Sequence, residues 1–421
     1  MGFLRSLEMS RTLRCGTFGM SVILPLETMA DSIEEKIKKA RGDARILYTE
    51  LGRCQRRVRD GDLMSVCKQV PKLQPSDVNL RVYNTLLTHR DKIALIQWSD
   101  DSKSLVSACQ DGYMFVWDAV TGYKTQAIAL ENNWVLTCAY APSGRFVASA
   151  GLDNACTIYA VGNDTMEPDS ELGHAMYGIT LRVQSVFKGH TAYISGCQFL
   201  TDLNIVTSSG DMTCATWDIE RGKRTCEYVD HLGDVLCVAA FRSSFELQFV
   251  TGLCDGTVRV WDPRVAGAAQ TFAVGSDVTC VEVFPDGNAV VSGSDDGIVR
   301  LFDRRADSEI ASYSLQLQLQ LLAPVAARYR RRPASVGSDN HSSNDTLDSP
   351  GVTSVAFSRS GRVLYSCYAE YGGVVWDTLG GQAIGVMTGG HSDRITGVAA
   401  SRDGVALATS SWDHTVKIWS A

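Results

Sequence analysis

Apolar and polar residues alternate in short runs along most of the chain, and seven of these runs end on an aromatic residue. The run ends are Val116-Trp117-Asp118, Ile158-Tyr159-Ala160, Thr216-Trp217-Asp218, Val260-Trp261-Asp262, Leu301-Phe302-Asp303, Val375-Trp376-Asp377 and Ile418-Trp419-Ser420. Alternation with a period of two marks strands that bury one face. Successive aromatics lie 42, 58, 44, 41, 74 and 43 residues apart, so four gaps share one period and two carry extra chain. Ahead of most ends stands a turn pair: Asp111-Gly112, Asp153-Asn154, Asp211-Met212, Asp255-Gly256, Asp296-Gly297 and Asp413-His414. Gly and Asn tolerate the positive φ of a tight turn, so each pair predicts a hairpin between alternating strands. The pattern predicts an all-β domain over residues 82–421, built from seven repeated sheets.

A repeat of ~40–45 residues closing on Trp-Asp resembles the WD repeat, and seven such units imply a seven-bladed WD40 β-propeller. The resemblance also implies a polar lock per blade, in which a His, a strand Ser or Thr, the turn Asp and the strand Trp share buried hydrogen bonds. His89, His190, His231 and His391 stand upstream of four turns. The third lock is expected at His190, Ser208, Asp211 and Trp217, and the fourth at His231, Thr251, Asp255 and Trp261. Such sets mimic a hydrolytic triad, but an enzyme needs one triad whereas a propeller needs its lock throughout. Recurrence favours structure, and no catalytic residue is assigned. The sixth unit departs from the pattern, because Tyr368-Ala369-Glu370-Tyr371-Gly372 puts Glu370 where other units carry Asp. Closed rings of sheets leave no open edge. Val82-Tyr83-Asn84-Thr85-Leu86-Leu87 is the candidate to complete the last blade against the strands of residues 391–421.

Between residues 31 and 60 the period changes. Ile33, Ile37, Ala40, Ala44, Leu47, Leu51, Cys54 and Val58 alternate in steps of four and three, the a/d pattern of a coiled coil. Charged residues fill the gaps, and Asp31 with Glu34 three positions later has the spacing of a capping box. The helix would either fold back on its own propeller or take a partner. Gly42 and Gly52 each cost about 1 kcal/mol against Ala, which makes a solitary helix marginal and a partner helix the expected cover. Residues 61–81 read as a linker.

Composition narrows the function classes. A formal net charge of −7 over 421 residues argues against a nucleic-acid partner, which needs concentrated positive charge. Thirteen cysteines lie mostly in apolar runs, such as Leu136-Thr137-Cys138-Ala139-Tyr140, and none forms a C-x-x-C pair. They read as small buried hydrophobes in a reducing compartment, with no metal or cofactor expected. No run approaches the ~20 apolar residues of a spanning helix. Residues 1–30 read as a disordered or misassigned extension, with Met20 and Met29 as alternative starts. Their arginines loosely mimic a transit peptide, and Gly2 with Cys15 fits a lipidation pattern. Insertions are expected at 162–186 and 313–350. The second carries Arg331-Arg332-Pro333-Ala334-Ser335 and Ser349-Pro350, which make Ser335 and Ser349 candidate phosphorylation sites; an unregulated solvated loop is the equal alternative.

The densest strings tie the chain to one family. Trp134-Val135-Leu136-Thr137-Cys138-Ala139-Tyr140-Ala141-Pro142-Ser143-Gly144, Gly151-Leu152-Asp153-Asn154, Ile205-Val206-Thr207-Ser208-Ser209-Gly210-Asp211 and Gly293-Ser294-Asp295-Asp296 resemble the β subunits of heterotrimeric G proteins. The resemblance runs from about residue 31 to 421 outside the insertions. An insertion before the sixth blade is similar to that of fungal members which transmit a mating-pheromone signal. The resemblance implies an obligate γ subunit on the helix, at Ile33, Ile37, Ala40, Ala44, Leu47 and Leu51. It further implies a GDP-bound α subunit on the narrow propeller face, and effectors there once α has left. The α-facing positions would be Lys92, Trp134, Leu136, Leu152, Tyr193, Asp234, Leu236, Asp277, Thr279, Asp295 and Trp412, with Phe115 and Lys124 meeting α along the side of the first blade. Against the family pattern, Ala94 replaces Tyr, Leu136 and Leu236 replace Met, and Thr279 replaces Asn; the lost aromatic removes contact area. No G-x-x-x-x-G-K-[ST] loop is present, so nucleotide chemistry would belong to α and this chain is not expected to be an enzyme. It would be cytoplasmic, held peripherally at the inner plasma membrane by lipidated partners. The rival reading is a generic WD40 scaffold or adaptor, which would have no use for the a/d helix.

Overall fold

The computed structural model describes residues 26–59, 70–71, 73–74, 78, 80–161, 183–242, 247–265, 267–315, 350–370, 372–387 and 390–420. Contacts divide the chain into two units at Pro71. Among the described residues the first contains one helix, α1 (Leu26–Arg59). It starts five residues before Asp31, which therefore lies inside the helix and does not cap it. Leu26, Glu27, Met29 and Ala30 are good helix formers, so nothing in that stretch halts the helix at Asp31. The expected phosphorylation sites Ser335 and Ser349 lie outside the described residues, as does nearly all of both insertions.

The second unit contains, among the described residues, seven four-stranded antiparallel sheets. Strand β1 (Arg81–Leu87) stands first in sequence, and the first blade follows as β2 (Ile93–Trp98), β3 (Ser104–Cys109), β4 (Tyr113–Asp118) and β5 (Lys124–Ala129). Blades 2 to 7 begin with innermost strands at Val135–Tyr140, Ile194–Phe199, Val235–Ala240, Val278–Val283, Val352–Phe357 and Ile395–Ala400. The ring closes as expected, because β1 becomes the outermost strand of the seventh blade, with Leu86 opposite Val416 and Leu87 opposite Thr415. Hydrophobic clusters fill the spaces between blades. One joins Ala148 and Ile158 of blade 2 to Ile194, Ile205 and Trp217 of blade 3. Another joins Leu86 and Ile418 of blade 7 to Ile93, Trp98 and Trp117 of blade 1.

Each Trp of the repeat donates its indole N–H to a hydroxyl ten positions upstream: Trp117 to Ser107, Trp217 to Thr207, Trp261 to Thr251, Trp376 to Ser366 and Trp419 to Thr409, all within 2.7–2.9 Å. The third lock is therefore His190, Thr207, Asp211 and Trp217. His190 Nε2 meets Thr207 Oγ1 at 2.8 Å and Nδ1 meets Asp211 Oδ2 at 3.0 Å. Ser208, expected in this role, points the other way, as strand alternation requires of its neighbour. Its hydroxyl meets that of Ser195 on the innermost strand at 2.9 Å. Thr207→Val would leave a buried ring nitrogen and an indole N–H unpaired, at about 1–3 kcal/mol each. Ser208→Ala is expected to cost about 1 kcal/mol or less, and urea unfolding of the two variants compares them.

The fourth lock is only half built. Trp261, Thr251 and His231 connect, with His231 Nε2 at 3.4 Å from Thr251 Oγ1, but Asp255 pairs with Arg259 at 3.5 Å instead of with His231. Blade 5 repeats the substitution, with Arg300 on Asp296 at 2.8 Å. In blade 6 Glu370 is exposed, so that lock keeps only the Trp376–Ser366 bond. Burial, then the Arg259 charge, pushes His231 down to about 4. The unfolded chain therefore takes up this proton first, at an ordinary histidine value of about 6.5. Folding stability from this group is complete above that value and is lost as pH falls toward 4, up to about 3 kcal/mol. Unfolding free energy should fall less across this window in His231→Gln than in wild type. An equal fall would refute the assignment.

Candidate docking face

One backbone bond places the predicted face residues. In every blade the carbonyl just before the innermost strand accepts the N–H of the residue just after the second strand. The pairs are Lys92 with Gln110, Trp134 with Leu152, Tyr193 with Gly210, Asp234 with Cys254, Asp277 with Asp295, Gly351 with Ala369 and Arg394 with Trp412, at 3.0–3.1 Å. These positions circle one end of the ring. Inside them runs a second circle. Each innermost strand slips register after its first residue, leaving Ala94, Leu136, Ser195, Leu236, Thr279, Thr353 and Thr396 as unpaired bulge residues. A bulge re-aims its extra side chain, and here Leu136, Ser195, Leu236, Thr279 and Thr353 line a central cavity of about 1580 Å³. Near the cavity's other end Asp100 of blade 1 bonds Arg242 of blade 4 at 2.6 Å and Arg402 of blade 7.

The structure thus gathers Lys92, Trp134, Leu152, Tyr193, Asp234, Asp277, Asp295 and Trp412 on the outer circle and Leu136, Leu236 and Thr279 on the inner one. Trp134 is 56% exposed and Leu152 50%, an apolar pair beside charged neighbours. Lys92 Nζ sits 4.0 Å from the Trp412 ring centroid, with the Arg394 guanidinium at 5.2 Å from the same ring. Cations against an indole hold its plane. Tyr193 donates its hydroxyl to Asp234 Oδ2 at 3.2 Å. Basic residues therefore cluster on blades 7 and 1 and acidic ones (Asp234, Asp277, Asp295) on blades 4 and 5.

Two predicted contacts change role. Thr279 Oγ1 lies 2.5 Å from the Val352 carbonyl and 3.1 Å from that of Gly293, so its proton ties blade 5 to blade 6 and is not offered to a partner. Ser195 and Thr396 make the same tie to Val235 and Ile93, at 2.5 and 2.9 Å. Phe115 is only 5% exposed. It packs on His89 with ring centroids 4.6 Å apart, and Lys124 Nζ covers its outer side at 4.6 Å. The aromatic surface there belongs to Tyr113, 45% exposed and stacked on Phe115. Sequence reasoning missed Arg394, although it holds the same place in blade 7 as Lys92 holds in blade 1.

Along α1, Ile37, Leu47 and Leu51 are 45%, 64% and 56% exposed, and Ala40 and Ala44 are exposed as well. The side chain of Ile33 lies outside the described residues. Ile46 and Tyr48, also exposed, widen the apolar surface beyond the a/d stripe.

A seven-bladed WD propeller with aromatic and charged residues ringed around one mouth has the surface chemistry of a protein-binding face. Residues 35–348 match the family described as "G protein beta WD-40 repeat protein", and residues 381–420 match "WD domain, G-beta repeat". The guanine nucleotide-binding protein subunit beta of Saccharomyces cerevisiae is 40% identical over 405 residues, 94% of this chain and 93% of that protein. The namesake of Solanum tuberosum is 40% identical over 79% of this chain and 81% of its own length, and that of Zea mays is 36% identical over 93% and 98%. The chain belongs to the family of G protein β subunits.

Proposed function

We propose that this chain forms a dimer with a γ-type helical subunit through α1, holds a GDP-bound α subunit on the docking face, and presents that face to effectors when α leaves. The observation that carries the reading is the exposed Trp134 and Leu152 beside the Lys92–Trp412 stack, on positions that one repeated backbone bond fixes. Exposed aromatics within a charged rim are how binding hot spots are built. The exposed a/d stripe of α1 supports a helical partner. The chain itself performs no chemistry in this reading. Its His-Asp-hydroxyl sets recur in blades 3 and 7, and the His190 and His391 side chains are each only 2% exposed, out of a substrate's reach. No helix among the described residues is long and apolar enough to cross a membrane, and we place the complex at the inner face of the plasma membrane through lipidated partners. The resemblance of the insertion before blade 6 to that of fungal members supports a role in mating-pheromone response.

Trp134→Ala combined with Lys92→Ala tests the face. Binding of GDP-loaded α is expected to weaken by at least about 2 kcal/mol, roughly thirtyfold, as for hot-spot truncation. Capture of the γ-type partner should be unchanged. Equal α affinity in the variant and wild type would overturn the proposed face.

A further inference from the structure

The first blade's lock differs from its counterparts in a way that creates a donor set. In blades 3 and 7 the lock histidine reaches its aspartate at 3.0 and 2.9 Å. The neighbouring strand-end hydroxyls, Ser209 and Ser411, bond the Ala192 and Asp393 carbonyls. Blade 1 carries Cys109 at that strand end, with its thiol on the Asp91 carbonyl at 3.0 Å. Thr213 and Thr415, whose hydroxyls help hold the other two histidines, become Tyr113. His89 Nδ1 is left 3.8 Å from Asp111 Oδ2, too far for a hydrogen bond. The His89 side chain is fully buried, and Nδ1 has no hydrogen-bond partner.

That orphaned nitrogen faces a thiol and a carboxylate. One donor atom each from His89, Cys109 and Asp111 lies within 4.8 Å of the others. We propose that these three side chains bind one zinc ion. Nitrogen, sulfur and oxygen are the ligands zinc takes in tetrahedral sites, at about 2.0–2.3 Å from the metal. The donors need to close by about an ångström to meet it. The imidazole is already set for the task. Nε2 lies 2.7 Å from Ser107 Oγ and donates its proton there when Nδ1 binds metal, the outer bond that zinc-ligating histidines use. Ser107 Oγ has a second lone pair for the Trp117 indole N–H. The thiol gives up its proton to solvent as the metal–sulfur bond forms. Water takes the fourth position on the Asp111 side, where the carboxylate is 11% exposed. Zinc here would clamp the turn after β3 to the loop after β1. It would lie directly behind Lys92, whose carbonyl holds Gln110 at 3.0 Å.

The test uses the full chain with its helical partner, stripped of metal and then titrated with zinc, and separately with cobalt as a spectroscopic probe. One equivalent of cobalt should produce a thiolate-to-cobalt absorption band, and zinc should raise the melting temperature over the chelated sample. Cys109→Ser, a residue that the same strand position accommodates in blades 3 and 7, should fold, lose the cobalt band and bind zinc at least tenfold more weakly. Cys254→Ser should retain both signals. No cobalt–thiolate band in wild type, an undiminished band in Cys109→Ser, or loss of the band in Cys254→Ser would each overturn the proposal.

Discussion

Replacing Ile37 and Leu47 together with Asp is expected to abolish capture of a γ-type partner while leaving the propeller folded. Both side chains lie on the a/d stripe of α1, in the unit that precedes the propeller, and are exposed. In a two-helix coiled coil each would be a knob enclosed by four residues of the facing helix. Burying one unpaired carboxylate there costs several kcal/mol, and two exceed what a short coiled coil gains. Co-purification of the double variant with its partner, followed by circular dichroism of the propeller, gives the answer. Stable assembly in spite of both charges would remove α1 as the pairing element.

Leu86→Ala is expected to destabilise the propeller by about 2–5 kcal/mol, the range for emptying a buried leucine site. Leu86 is 1% exposed and packs with Ile93, Trp98, Trp117, Val416 and Ile418, so it fastens the seventh blade to the first. Deleting Arg81–Leu87 should do more. It would strip the outer edge of Thr415–Ser420, exposing an unpaired strand edge prone to association. Unfolding midpoints in urea, with light scattering of the deletion variant, measure both. Wild-type stability in Leu86→Ala would mean that the ring closes by some other contact.

The blades and their closure were legible because the information is local. Alternation with period two and a turn signal ahead of each Trp specify a hairpin without knowledge of its neighbours. The Val82–Leu87 strand was legible for a related reason, since an extra strand pattern at one end needs an edge to pair with. The lock of blade 3 was misread by one residue. Thr207 and Ser208 are both hydroxyl residues, and strand alternation alone does not say which face the Trp occupies. The ten-residue interval from Trp to hydroxyl, uniform in the five Trp blades, carries that information. The burial of Phe115 was not legible, because an aromatic in a strand reads the same whether solvent or a lysine covers it. Asp31 failed as a helix start because the capping spacing lay within a run that favours helix on both sides.

What the sequence by itself determined is the number of sheets, their order, the closing strand and the helical stripe, all consequences of backbone geometry repeated along the chain. Only the tertiary structure decided which side chains share a surface. Lys92 and Trp412 are 320 residues apart in number and stack because ring closure makes blades 1 and 7 neighbours. The bulges that turn Leu136 and Leu236 into the channel, and the inter-blade tie that occupies Thr279, depend on pairing partners far away in the chain. His89, Cys109 and Asp111 each look ordinary in their own segment. They become a donor set only when β3 folds back beside the loop that follows β1, because the distances that matter to a ligand are fixed by packing between segments.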